Sequence, residues 1–133
     1  MLKLTIVTPS KRLLVDVPVD EVFAPAELGE VNLLAGHAPL LTTLTTGVLK
    51  YKKQGDTKLT QVVISWGFCE VVNDKVNILA ETAEKEEEID KERARLAYQE
   101  AQKRLSDAGL GGSELEKAQR KLARAEVRMN LNH

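Results

Sequence analysis

Apolar and polar positions alternate from the start of the chain. Leu2, Leu4 and Ile6 interleave with Lys3, Thr5 and Val7, the two-residue period of a strand. Thr8-Pro9-Ser10 ends that run. Short strands are predicted again over 13–17, 19–23 and 30–34, broken by Pro18 and Pro25, and Ala35 to Pro39 punctuates as a tight loop. Residues 42–52 are β-branched and alternating around Gly47, and Gln54-Gly55-Asp56 is a turn leading into 59–66. A closing hairpin is predicted from 68–72, Asn73-Asp74 and 76–79. Roughly eight to ten short strands at this spacing predict a flattened β-sandwich or barrel.

The period changes near Ala83. Ala94, Ala97, Ala101 and Leu105 recur at steps of three and four, as do Leu115, Ala118, Leu122, Ala125 and Met129. These are two amphipathic helices with narrow seams. Gly109, Gly111 and Gly112 break the chain between them, and Ser113-x-x-Glu116 has the spacing of a capping box. A short break between helices of similar length predicts an antiparallel hairpin. The fold class is therefore β + α, a β-sandwich over 1–83 followed by a helical hairpin over 84–133. Alanine seams remove little apolar surface from water, at about 25 cal/mol per Å². The hairpin is expected to be weakly held and able to open.

Composition narrows the possibilities. A chain of 133 residues fits one core with an appendage. The 19 basic and 20 acidic residues leave a net charge of −1, so nothing draws the whole chain toward nucleic acid or anionic lipid. The single cysteine, Cys69, cannot form an internal disulfide, and its strand-like flanks predict a buried structural thiol. There is no apolar run long enough for a membrane helix. Met1-Leu-Lys leads straight into strand pattern without the apolar core of a signal peptide.

Candidate chemistry is sparse. His37 is the only histidine of the β part, and no second ligand stands at metal-binding spacing, so no metal site is predicted. A small hydrolase built on His37 would need a nucleophile and an orienting acid that no motif supplies. Gly109-x-Gly-Gly lacks the preceding strand and following Lys-Ser/Thr of a phosphate loop.

Three stretches carry a resemblance: Glu27-Leu28-Gly29 with Leu33-Leu34-Ala35-Gly36-His37-Ala38-Pro39-Leu40-Leu41-Thr42, then Ser65-Trp66-Gly67-Phe68-Cys69-Glu70-Val71, then Val76 to Ala80. In this order, with a β part followed by a hairpin, the chain resembles the ε subunits of bacterial F-type ATP synthases, counterparts of the mitochondrial δ subunit, over essentially its whole length. It departs from the family pattern at Ala35, where Pro is usual, at Glu30-Val31-Asn32, and at Trp66, where Gly is usual. That last change adds a large ring that wants burial or a partner.

The resemblance implies a non-catalytic rotor and regulatory subunit at the cytoplasmic face of the bacterial membrane, peripheral to it. Its implied partners are the γ subunit, the c-ring and, with the hairpin extended, the α and β subunits. Glu27 and His37 would lie on the c-ring side. Arg120, Arg124 and Arg128 would meet acidic loops of the catalytic subunits. No cofactor is required and Mg is not needed for the fold, but some ε subunits hold regulatory ATP. Ile89-Asp90-Lys91-Glu92-Arg93-Ala94 matches the family motif for it, which carries Glu84, Ile89, Asp90, Arg93, Ala94, Arg124 and Arg128 into a candidate ATP site. The same residues are also ordinary helix-start chemistry and solvated helix surface, and the acidic run from Glu84 to Glu88 opposes phosphate. The alternative is a free-standing ATP-sensing or adaptor module outside any synthase.

Overall fold

The computed structural model describes residues 1–106 and 111–131. Seven strands precede two helices: β1 (Leu2–Val7), β2 (Arg12–Ala26), β3 (Gly29–Leu34), β4 (Leu40–Leu44), β5 (Gly47–Lys53), β6 (Thr60–Val72) and β7 (Lys75–Lys85), then α1 (Lys91–Leu105) and α2 (Gly112–Met129). A 3₁₀ turn at Glu86–Glu88 joins strand to helix.

The strand ladder closes on itself. β1 pairs parallel with β7 and antiparallel with β2, β7 pairs with β6, β6 with β5, and β5 with β2. β4 covers the second half of β6, and β3 adds to β2 as an edge strand. The result is a flattened barrel, the β + α architecture expected. Its core holds Leu2, Leu4, Ile6, Val22, Leu33, Leu44, Leu49, Tyr51, Val62, Ile64, Cys69, Val71, Val76 and Ile78.

The strands are fewer and longer than the pattern predicts. Pro18 does not end a strand: β2 runs through it, because β1 pairs on one side and Pro18 needs only its carbonyl, which accepts from Gln54 N at 3.2 Å. The true irregularity is a bulge at Asp16, where φ is +49 and the amide donates to Thr5 Oγ1 at 2.9 Å. β6 likewise continues through Trp66-Gly67. A Cβ at Gly67 would come within 1.8 Å of the Leu79 carbonyl oxygen, so only glycine permits the close strand approach there. In the other direction, 42–52 is two strands, divided at Thr45-Thr46. Asn73 and Asp74 both have positive φ and form the two-residue turn of the β6–β7 hairpin.

α1 and α2 pack together through Ala94, Ala101, Ala118 and Ala125, all buried. Ser113 does not cap α2: Gly111 is the N-cap, without a side-chain bond, and Ser113 lies inside the helix. The helix starts two residues earlier than the motif implies, because Gly111 already holds the extended cap conformation. Gly109 and His133 lie outside the described residues. The hairpin rests on the outer face of β5–β7 through a small cluster: Val63, Ile89 and Leu131 buried, with Val48 and Val127 beside them. Burial of each such side chain stabilises by about 1.5–3 kcal/mol, so this seat is small beside the barrel core.

Every residue of the larger core lies before Lys85. A fragment of residues 1–85 is therefore expected to unfold in one cooperative β-type transition, followed by circular dichroism. A molten product would mean that the arm completes the core.

Burial pushes the Cys69 thiol up from 9.0 to about 11. The unfolded thiol releases its proton first as pH rises, so stability present below pH 9 is lost towards pH 11. The loss attributable to Cys69 is about 3 kcal/mol at most. Denaturant midpoints across this range should fall less steeply in Cys69→Ala.

Candidate functional site

Ile89 ends the 3₁₀ segment, and Asp90 starts α1. Its Oδ1 accepts from Glu92 N at 3.0 Å and Arg93 N at 3.3 Å, so it caps the helix. That places Arg93 and Ala94 in the first turn of α1, facing the end of α2. Glu84, near the end of β7, pairs with the guanidinium of Arg128 on α2. Between them lies a cavity of about 230 Å³, lined by Glu84, Glu88, Ile89, Asp90, Arg93, Ala94, Ala97 and Arg128. Arg128 Nε is buried there without a hydrogen-bond partner, an exposed need for an acceptor.

Six of the seven expected nucleotide residues thus line one cavity. Arg124 does not. It lies one turn before Arg128, in a second groove of about 630 Å³ between the helices and Thr82 of β7. The two share Ala97 and Arg128. Arg93 and Arg124 have no ion-pair partner among the described residues.

Glu27 and His37 are both exposed, at opposite ends of β3. Six strand residues separate the two loops, about 20 Å at 3.3 Å per residue. The His37 loop is tied down: Gly36 N donates to Asp74 Oδ1 at 2.7 Å, and His37 Nδ1 lies 2.6 Å from the Ala38 carbonyl oxygen. Asp74 had no role in the sequence pattern beyond its turn.

Trp66 finds its partner in the hairpin. The Arg120 guanidinium stands 4.8 Å from the ring centroid, and Arg120 Nη1 lies 3.6 Å from Glu81 Oε2 of β7. Trp66 has φ +50, a conformation costing a non-glycine residue about 1–3 kcal/mol. Glu81 carried no sequence signal.

On the face of β1, β7, β6 and β4 away from the core, Val7 stands beside Leu79, Leu79 beside Phe68, and Phe68 beside Thr43, with Leu41 next along β4. Leu79, Phe68 and Leu41 are 57%, 55% and 71% exposed, an apolar face that no other described residue covers.

A closed barrel carrying a two-helix hairpin on its outer face, with a small polar cavity between them, defines a sandwich-plus-hairpin protein. A family model described as ATP synthase, Delta/Epsilon chain, beta-sandwich domain matches residues 1–86, and one described as the long alpha-helix domain of the same chain matches 87–131. The chain belongs to this ATP synthase delta/epsilon family, as an epsilon subunit of an F-type enzyme. The ATP synthase epsilon chain of Geobacter sulfurreducens is 42% identical over 130 residues, covering 98% of this chain and 92% of that one. That of Bdellovibrio bacteriovorus is 60% identical over 89 residues, 67% of this chain and 64% of the relative. A chain in the OSCP/F1/c-ring structure of Euglena gracilis mitochondrial ATP synthase superposes with a TM-score of 0.82 at 28% identity, covering 95% of this chain and 78% of that one.

Proposed function

We propose that this chain is a non-catalytic rotor and regulatory subunit. The barrel grips the γ shaft and rests on the c-ring, and the hairpin switches between a folded form and an extended one that reaches the catalytic subunits and blocks rotation. The observation that carries this reading is the size of the seat: an alanine-seamed hairpin held on the barrel by three buried residues. Two forms of such an element differ by only a few kcal/mol. The chain would sit peripherally at the cytoplasmic face of a bacterial membrane. No helix among the described residues is long and apolar enough to cross one.

The uncovered face of Leu41, Phe68 and Leu79 suits the γ contact. A contact touching both Glu27 and His37 would run along the β3 edge, where Leu28 and Leu34 are also exposed. Tagged chain should co-purify α, β and γ. Phe68→Asp with Leu79→Asp should cut γ recovery at least tenfold, since two charges are placed in an apolar contact. Full recovery would move the γ contact to another face.

The cavity beside Asp90 supports regulatory ATP. Ile89 and Ala94 offer apolar contact to a base, and the capping carboxylate keeps Oδ2 for its amino group. Arg93 and Arg128 line the side where phosphates would run, toward Arg124. Glu84 opposes phosphate but already pairs with Arg128.

The second reading is a free-standing ATP sensor. Size measurement in extract separates them, a monomer for the sensor and a complex of hundreds of kilodaltons for the subunit.

A further inference from the structure

We infer that Trp66, Arg120 and Glu81 form a latch that holds the hairpin on the barrel without any ligand. It lies apart from the nucleotide cavity and does not depend on that reading.

The indole is not a core side chain. Trp66 is 43% exposed, and Arg120 is the cation stacked on its ring. Its backbone occupies a region that favours glycine, so the barrel gains nothing locally from a bulky residue there. The contact that this conformation aims the ring toward is on α2. Arg120 serves two partners at once: its planar face covers the ring at 4.8 Å and its Nη1 meets Glu81 at 3.6 Å. A flat guanidinium can stack and donate together, which a lysine ammonium cannot.

The latch is one of two pins. Arg120 and Arg128 are eight residues apart on α2, about 12 Å at 1.5 Å per residue. Their partners Glu81 and Glu84 are three apart on β7, about 10 Å at 3.3 Å per residue. The matched spacing lays α2 along the strand in fixed register, where a single pin would let it pivot. The Arg128 pin lines the nucleotide cavity and the Arg120 pin does not. Both pins are closed without nucleotide, but only the Arg120 pin stands clear of the cavity, so a ligand there leaves it untouched. Trp66 and Glu81 lie on the barrel, so they meet Arg120 only while the hairpin is folded.

The test is hydrogen exchange on the whole isolated chain without nucleotide. Arg120→Ala and Trp66→Gly should each speed exchange of α2 amides roughly two- to fivefold, the fold-change of an exposed cation–π contact. Amides of β1, β6 and β7 should keep their rates. The double variant should exceed neither single one, because both remove one contact. Arg120→Lys should fall between, keeping the ion pair and losing the stack. Trp66 is the only tryptophan, so its fluorescence should also become more open to acrylamide in Arg120→Ala. If Trp66→Gly fails to fold, Trp66→Asn, which tolerates the same backbone conformation, takes its place. Unchanged α2 exchange in Arg120→Ala, or effects that simply add in the double variant, would overturn the latch.

Discussion

Deleting residues 89–133 is expected to raise ATP hydrolysis by the assembled enzyme. The size of the rise measures how often the arm is extended. A balanced switch gives about a twofold increase, and one lying nine-tenths extended about tenfold. The barrel survives the cut, because the deletion uncovers only Val63 and Val48 of the small cluster and leaves the main core whole. Charge reversals need more care. Arg120 and Arg128 are held by Glu81 and Glu84 in the folded form, so reversing either weakens both forms and the effects oppose. Arg124→Glu is the cleaner probe, since no ion pair restrains it among the described residues. It should reproduce part of the deletion's gain. Trp66→Gly should move hydrolysis the other way, by loosening the folded form alone. Unchanged hydrolysis in the deletion, measured on enzyme freed of inhibitory ADP, would remove the arm as a brake.

ATP is expected to have the second largest effect. A ligand that binds only the closed hairpin adds about 2.7 kcal/mol at 100 times its dissociation constant. That is about a hundredfold shift in the folded-to-extended ratio. Arg93→Ala should abolish most of it without breaking an ion pair of the free protein. Arg128→Ala should abolish it too, but also leaves Glu84 unpaired, so its loss contains a structural part. Arg124→Ala should cost less than either, because Arg124 stands in the adjoining groove. Asp90→Ala removes a helix cap worth about 1 kcal/mol and cannot be read alone. Calorimetry on the isolated chain with millimolar MgATP decides. No heat and no thermal shift would leave the hairpin mechanical, and the arginines ordinary helix surface.

The sequence made the periods legible and hid the irregularities. Alternation at Leu2, Leu4 and Ile6 and the helix steps at Ala94, Ala101, Ala118 and Ala125 correspond directly to buried positions, because one face of each element meets a partner. The bulge at Asp16 and the kink at Trp66 do not show as a pattern, since each depends on what the neighbouring strand requires. Pro18 and Gly67 have the look of strand ends, but the ladder accommodates both inside β2 and β6. The cavity beside Asp90 carries a motif but no periodicity: Glu84 and Arg128 are 44 residues apart and meet only in the folded chain. Glu81, Asp74 and Leu131 gave no signal, as an exposed acid, a turn residue and a near-terminal leucine have many equivalent counterparts. Leu131 nonetheless tucks under the hairpin beside Ile89.

The alanine seam also sets how the arm responds to heat. Heat capacity changes on opening scale with the apolar surface exposed, and Ala94, Ala101, Ala118 and Ala125 expose little. In the proposed switch, the seam's share of the free-energy difference between folded and extended arms therefore has little curvature with temperature. A leucine-filled seam would loosen on cooling and tighten on warming as its hydration changed. The alanine seam would keep its own contribution steady with temperature, leaving the proposed switch to respond to chemical signals.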